Sequence, residues 1–135
     1  MMAAFWRKKS GRVDDPRHAL GKRGENEAAR YLQGLGHEIV DKNVRTRHGE
    51  IDLITRHKGT LVFVEVKARS SEEFAPPELS VDERKRRKLL ELAQAYLSGL
   101  GEPVECRFDV LAVVLPDKGR PVIRHIQNAF QVDVW

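Results

Sequence analysis

Residues 49–69, GEIDLITRHKGTLVFVEVKAR, contain two apolar runs that are separated by a short turn sequence. Valine, isoleucine, phenylalanine and leucine dominate both runs, which is typical of β-strands. The second run is apolar on both faces from Leu61 to Val64, so it predicts a strand in the middle of a sheet. Glu65 and Lys67 continue this strand two residues apart, and therefore lie on one face. Because an isolated buried ion costs roughly several kcal/mol, these two charges need partners.

The expected hairpin register brings a second acid to the same place. If the hairpin turns at Lys58-Gly59, Asp52 lies directly opposite Glu65. The same register sets Glu50 opposite Lys67. Directly opposed side chains have Cβ atoms about 4.5–5.5 Å apart, which is close enough for strong interaction between charges.

Two opposed carboxylates repel each other unless a cation lies between them. Hard divalent cations prefer carboxylate oxygens and keep some of their own waters. The pattern therefore predicts a divalent metal site with Asp52 and Glu65 as ligands. The alternative is a network of Asp52, Glu65 and Lys67 that only fixes the strand register, since clustered ionisable groups favour functional sites without proving them.

The composition is that of an ordinary globular chain with unevenly placed charge. The 135 residues are 41% hydrophobic and 33% charged, which suits one domain with one core. The longest apolar runs are far too short to span a membrane, and the single cysteine, Cys106, favours the reducing cytoplasm. Residues 1–23 carry seven basic and two acidic side chains, a net charge of +5, against −1 for the remainder. We expect residues 1–17 to form a flexible basic arm, either phosphate-binding or solubilising, and residues 18–135 to form a single domain.

The remaining patterns place the elements in the order α-β-β-β-α-β-β. Gly21 and Gly24 in the first helix would let its backbone approach a neighbour closely. Ser80 is expected to cap the second helix in a capping box with Glu83. Outside the hairpin, the predicted ranges are 18–35 and about 80–100 for the helices and 37–45, 104–115 and 121–126 for the strands.

The second helix opens on five consecutive cations, residues 84–88. They oppose the helix dipole at a cost of a few tenths of a kcal/mol each, which a bound phosphate would offset. A solvated basic face is the alternative. Lys85 and Lys88 each lie four residues before an apolar position, so we expect them to lean inward. Together with Arg84 they are the candidate nucleic-acid-binding residues.

Several other charged residues are weaker candidates. Glu25 borders the buried stripe of the first helix, although an acid is also favourable at a helix N-terminus. His48 lies two residues before Glu50 and is a candidate participant in the site. Asp109, in the second central strand, is expected to partner Arg107 or another cation rather than to bind a metal. Glu50, His48 and Asp109 form a second tier of site residues.

Taken together, these motifs resemble the PD-(D/E)XK nuclease core, especially that of archaeal Holliday-junction resolvases. The chain is still more similar to the YraN-like family of bacterial proteins over residues 20–130. Ile51 stands where the nuclease signature has proline, and no Gln-x-x-x-Tyr pattern follows Lys67, which argues against the exonuclease branches. The resemblance rests on Gly21-x-x-Gly24-Glu25-x-x-Ala28, Gly49-Glu50-Ile51-Asp52-Leu53-Ile54, Val64-Glu65-Val66-Lys67 and Arg107-Phe108-Asp109-Val110.

The resemblance implies a restriction-endonuclease-like α/β fold, with a central mixed sheet flanked by helices. It implies that Asp52 and Glu65 hold Mg²⁺ or Mn²⁺, with Glu25 as a direct or water-mediated ligand. Lys67 would orient or help deprotonate the attacking water, which completes a catalytic set of Glu25, Asp52, Glu65 and Lys67. The expected function is metal-dependent endonucleolytic hydrolysis of phosphodiester bonds, with structured or branched DNA as one candidate substrate.

Two other classes of function stay open at this point. One is a non-catalytic nucleic-acid-binding module that keeps the nuclease fold, and the other is a scaffold with a structural charge network. The expected partner is nucleic acid, DNA rather than RNA, with no membrane association. A homodimer is one alternative for the oligomeric state.

Overall fold

In the part of the chain that the structure describes, a six-stranded sheet in the order β1 to β6 forms the centre of the fold, with α1 packed on one face and α2 on the other. The structure is a computed structural model that describes residues 7–8, 16–47, 49–70 and 82–130. All neighbouring strands are antiparallel except β4 and β5, which are parallel, so the sheet is mixed. The elements are β1 (Arg7–Lys8), α1 (Pro16–Gly34), β2 (Glu38–Thr46), β3 (Gly49–His57), β4 (Thr60–Arg69), α2 (Glu83–Ser98), β5 (Cys106–Val114) and β6 (Val122–Phe130).

The predicted α-β-β-β-α-β-β core is confirmed, and β1 is added to it. Strand β1 lies within the predicted arm and pairs with β2 through Arg7↔Arg45 and Lys8↔Val44. The rest of residues 1–15 lies outside the described part of the chain, so the predicted flexible arm and its boundary stay predictions. Strand β6 is longer than expected. Neither helix in the described ranges is long and apolar enough to cross a membrane.

The predicted β3–β4 hairpin is confirmed in turn and register. Lys58 and Gly59 both have positive φ, 50° and 82°, as a two-residue primed turn requires. His57 pairs with Thr60, and the ladder continues in the predicted register as far as Leu53 and Val64. The predicted pairs Asp52–Glu65 and Glu50–Lys67 lie beyond its end. The apolar pattern fixes this register, because a slip of one residue would turn every buried side chain of β4 to the wrong face.

Strand β4 lies between β3 and β5 and separates two apolar clusters. Leu61 and Phe63 point towards α2, whereas Val62 and Val64 point towards α1, and all four are almost fully buried. By this alternation Glu65 and Lys67 follow Phe63 on the α2 face. The buried part of α2 that covers this face comprises Leu89, Leu92, Ala93, Tyr96 and Leu97, as its apolar periodicity predicts.

Helix α1 packs closely against β4 at Gly24. A Cβ atom at Gly24 would lie 2.5 Å from the Ala68 Cβ atom, so no larger residue fits without a shift. The expected close approach is confirmed at Gly24 and is wrong at Gly21, where a Cβ would meet nothing within 4 Å. The contact at Gly24 holds the next residue, Glu25, near the carboxyl end of β4.

Helix α2 begins two residues later than the capping box predicts. Its N-cap is Asp82, whose Oδ1 accepts a hydrogen bond of 2.9 Å from the backbone N–H of Lys85. The expected role of Ser80 is therefore wrong, because Asp82 has the extended backbone and the short carboxylate that an N-cap needs. Ser80 itself lies outside the described residues.

Candidate active site

Asp52 on β3 and Glu65 on β4 are both buried, with 6% and 5% of their surface exposed. The hydrogen-bonded ladder ends at Leu53–Val64, one position before these two acids would pair. The Asp52 Oδ2 atom instead accepts a hydrogen bond of 2.8 Å from the backbone N–H of Val66. A carboxylate thus takes the position of a strand partner and is fixed beside the chain that carries Glu65.

Three other acids, Glu65, Glu25 and Glu50, act electrostatically on the ionisation of Asp52. Burial raises the pKa of Asp52 well above its ordinary value, and the negative charge of Glu65 raises it further. The hydrogen bond from Val66 opposes this rise, whereas the charges of Glu25 and Glu50 add to it. Glu25 and Glu50 are therefore close enough to Asp52 to act on its ionisation.

Two lysines form ion pairs with the Glu65 carboxylate. The Lys67 Nζ atom lies 3.2 Å from Glu65 Oε1, and the Lys85 Nζ atom lies 2.9 Å from the same oxygen. Burial and the positive charge of Lys85 lower the pKa of Lys67, despite the attraction of Glu65. Burial would also lower the pKa of Lys85, but the attraction of Glu65 outweighs it and raises that pKa. The second lysine comes from α2, so the site joins the helix to the sheet.

The other two predicted nucleic-acid-binding residues lie in solvent. Arg84 and Lys88 are exposed, so the expected inward lean is confirmed for Lys85 and wrong for Lys88. The reason is local: Glu65 supplies an ion partner beneath the first turn of α2, where Lys85 is held by the Asp82 cap.

The second-tier residues have different positions. Glu50 pairs with Arg45 across β2 and β3, and the expected opposition of Glu50 and Lys67 lies beyond the end of the β3–β4 ladder. His48 lies outside the described residues, so its role stays a prediction. Asp109 belongs to a separate buried network on the α1 side of the sheet, where its neighbours Leu111 and Val113 pack.

Asp109 is an internal ion partner, as expected. Its carboxylate accepts hydrogen bonds from Arg107 Nε at 3.0 Å and from the Asn128 backbone N–H at 3.0 Å, and it lies 2.7 Å from His125 Nε2. Burial alone would raise the pKa of Asp109, but these contacts outweigh it and hold the pKa below its ordinary value. The sequence did not predict the part played by His125. The reason is that it depends on an irregularity in β5–β6 pairing, where Asn128 has a φ of 49°.

Next to this network lies a buried histidine. His37 Nδ1 is 2.7 Å from Thr55 Oγ1, and the His37 ring stacks on His57 with centroids 4.2 Å apart. Burial, followed by the positive charge of His57 and Arg107, lowers the pKa of His37 to about 4. His37 is therefore a neutral packing residue near pH 7.

The chemistry of the Asp52–Glu65 pair suits a hard cation. All its candidate donors are carboxylate oxygens, the ligand type of Mg²⁺ and Mn²⁺. The negative charge of Glu65 raises the pKa of the buried Asp52 carboxyl, and a cation placed between the two carboxylates would relieve that repulsion. Within the described ranges, no three histidine, cysteine or acidic side chains are already grouped as metal ligands, and ammonium groups contact Glu65 instead. Metal binding would thus replace ammonium contacts with metal contacts.

Known proteins resemble this chain over the residues that form the candidate site. The model of the uncharacterised protein family UPF0102 matches residues 24–113, which include Glu25, Asp52, Glu65, Lys67 and Lys85. A UPF0102 protein of Symbiobacterium thermophilum is 48% identical over 112 residues, which cover 82% of this chain and 95% of the relative. A UPF0102 protein of Geobacter sulfurreducens is 44% identical over 84% of this chain and 89% of its own length. A third, of Persephonella marina, is 40% identical over 84% and 94%. The chain therefore belongs to the uncharacterised protein family UPF0102, in agreement with its resemblance to the YraN-like family.

Proposed function

We propose that this protein is a metal-dependent endonuclease that hydrolyses phosphodiester bonds in nucleic acid. The observation that carries the proposal is the buried pair of carboxylates, Asp52 and Glu65, with the ammonium group of Lys67 3.2 Å from Glu65. A structural ion pair needs only one acid for each cation. Here Asp52 is additionally held in the field of three other acids, an arrangement that a divalent cation stabilises.

In this proposal Asp52 and Glu65 hold Mg²⁺ or Mn²⁺, with Glu25 as a direct or water-mediated ligand. When bound, such an ion polarises a phosphoryl oxygen and makes water a better nucleophile. Lys67 shares the buried face with Glu65, so its amine can orient water or offset negative charge that develops on the phosphate. The hydrogen bond from Val66 holds the Asp52 carboxylate in place before an ion binds.

The proposed partner is nucleic acid, with DNA as the expected polymer, and the exposed cations of α2 support a partner that carries phosphates. Arg84 and Lys88 lie on the first turns of the same helix that sends Lys85 to Glu65, so a phosphate backbone bound there would pass the acidic pair. A cytoplasmic location is part of the proposal, because a lone cysteine suits a reducing compartment.

The test is cleavage by the purified chain of linear, branched and single-stranded DNA, with and without Mn²⁺, beside Asp52→Asn. We expect Mn²⁺-dependent cleavage of at least one substrate by the wild type and a loss of about a hundredfold or more in the variant. Salt-dependent DNA binding without cleavage of any substrate would support a binding module instead. Cleavage that does not need Mn²⁺, or that survives Asp52→Asn, would contradict the proposal.

A further inference from the structure

One carboxylate oxygen of Glu65 contacts two ammonium groups. Lys67 and Lys85 both contact Oε1, at 3.2 and 2.9 Å, and the Glu65 side chain is only 6% exposed. Lys67 is tied to this position because it lies two residues along the same strand. Lys85 reaches the same oxygen from another element, across the gap between α2 and the sheet.

A divalent cation cannot be added to this arrangement without cost. Glu65 is the carboxylate that a metal would share with Asp52, and two ammonium groups already contact its Oε1 atom. A divalent cation bound to that oxygen would lie within a few ångströms of both ammonium groups, and like charges at that distance repel each other strongly in a buried site. An ammonium group must therefore leave this oxygen when a metal binds to it.

Lys85 is the group that has room to leave. Its side chain is 38% exposed, against 16% for Lys67, and it stands at the solvent-facing start of α2. The Asp82 cap holds the Lys85 backbone, so a change of side-chain rotamer is enough to move the ammonium group into water.

We propose that Lys85 is an internal competitor of the metal: its ammonium group occupies Glu65 in the metal-free protein and is displaced when a divalent cation binds. Lys85 is then a positioning residue that sets the metal affinity of the site. The inference rests on the proposed function, since it takes Glu65 to be a metal ligand.

Calorimetric titration of the full chain with Mn²⁺ tests this. Lys85→Met keeps the length of the side chain and removes the charge, so we expect it to bind Mn²⁺ about tenfold more tightly than the wild type. Lys88→Met makes the same charge change one turn away on an exposed position and should leave the affinity within about twofold. Lys85→Arg keeps the competing charge and should bind no more tightly than the wild type.

Thermal unfolding supplies a second readout. Without metal, Lys85→Met should melt below the wild type because Glu65 loses a partner, whereas saturating Mn²⁺ should raise its melting temperature by more than it raises that of the wild type. A lysine with a merely structural role would weaken metal binding when it is removed. Equal or weaker Mn²⁺ binding by folded Lys85→Met would therefore overturn the inference while leaving the metal site in place. Failure of both the wild type and Lys85→Met to bind Mn²⁺ would overturn the metal site and the proposed function with it.

Discussion

At the scale of single residues, Asp52 and Asp109 are two buried aspartates in opposite surroundings. Asp52 accepts a hydrogen bond from Val66 but lies among other acids, so its pKa is raised. Asp109 is surrounded by Arg107, His125 and the Asn128 N–H group, so its pKa is lowered. Burial is similar in the two cases, so the partners decide whether the negative charge stabilises or destabilises the folded protein.

The same substitution should therefore have opposite effects at the two positions. Asp52→Asn removes repulsion and keeps an oxygen for Val66, so we expect the metal-free protein to gain about 1 kcal/mol. Asp109→Asn leaves buried donors facing an amide and should cost about 2–4 kcal/mol. Chemical denaturation of both variants in a chelator measures the two differences. A loss of stability in Asp52→Asn as large as that in Asp109→Asn would mean that the acidic pair is a structural network.

His37 should make the stability depend on pH. The pKa of His37 is about 4 in the folded protein, against an ordinary value of 6.5. Between pH 4 and pH 6.5, His37 therefore binds a proton more readily in the unfolded chain than in the folded protein. Stability from His37 is complete above pH 6.5 and is lost as the pH falls towards 4, by on the order of 3 kcal/mol. Asp52 acts in the opposite direction, because its raised pKa lets the folded state bind a proton as the pH falls.

Comparison of the wild type with His37→Gln separates the pH dependence caused by His37 from that caused by Asp52, since Asp52 is present in both proteins. The free energy of unfolding should fall more steeply with decreasing pH in the wild type, over pH 6.5 to 4, than in the variant. Parallel curves would show that His37 does not stay neutral in the folded protein.

At the scale of elements, the periodic parts of the sequence predicted the helices and strands well, because alternation and turn geometry depend on residues close together in the chain. The hairpin followed from its turn and from alternation, and the stripe of α2 followed from its apolar spacing. The Lys85–Glu65 ion pair was not predictable, because it joins a helix to a strand about 20 residues earlier. The partnership of His125 with Asp109 likewise depends on the irregular pairing of β5 and β6.

The contact between α1 and β4 gives a test with its own control. Gly24→Ala would place a Cβ atom 2.5 Å from the Ala68 Cβ, so it should displace the helix and cost about 1–3 kcal/mol. Gly21→Ala meets nothing within 4 Å in the same helix and should be neutral or stabilise by up to about 1 kcal/mol. Thermal unfolding of the two variants measures the contrast. Equal melting temperatures would contradict the close approach at Gly24.

At the scale of the whole molecule, the candidate site is assembled from both faces of the sheet. Strands β3 and β4 supply Asp52, Glu65 and Lys67, helix α2 supplies Lys85, and α1 brings Glu25 within electrostatic range. The motifs in the sequence predicted the acidic residues and Lys67 because each is an unusual charge in or beside an apolar pattern. They did not predict how Glu65 is neutralised without metal, since that depends on how α2 packs.

The most direct test of the central claim, a metal-dependent nuclease site at Asp52 and Glu65, is the rate of Mn²⁺-dependent DNA cleavage by Lys67→Ala and Glu65→Gln, measured beside their Mn²⁺ affinity. In the proposed mechanism Lys67 acts on water and on phosphate charge, so Lys67→Ala should still bind Mn²⁺ and should lose cleavage by about a hundredfold or more. Glu65→Gln should lose both Mn²⁺ binding and DNA cleavage, because it removes a proposed metal ligand. Cleavage that persists undiminished in both variants would contradict the account and point to a contaminating nuclease.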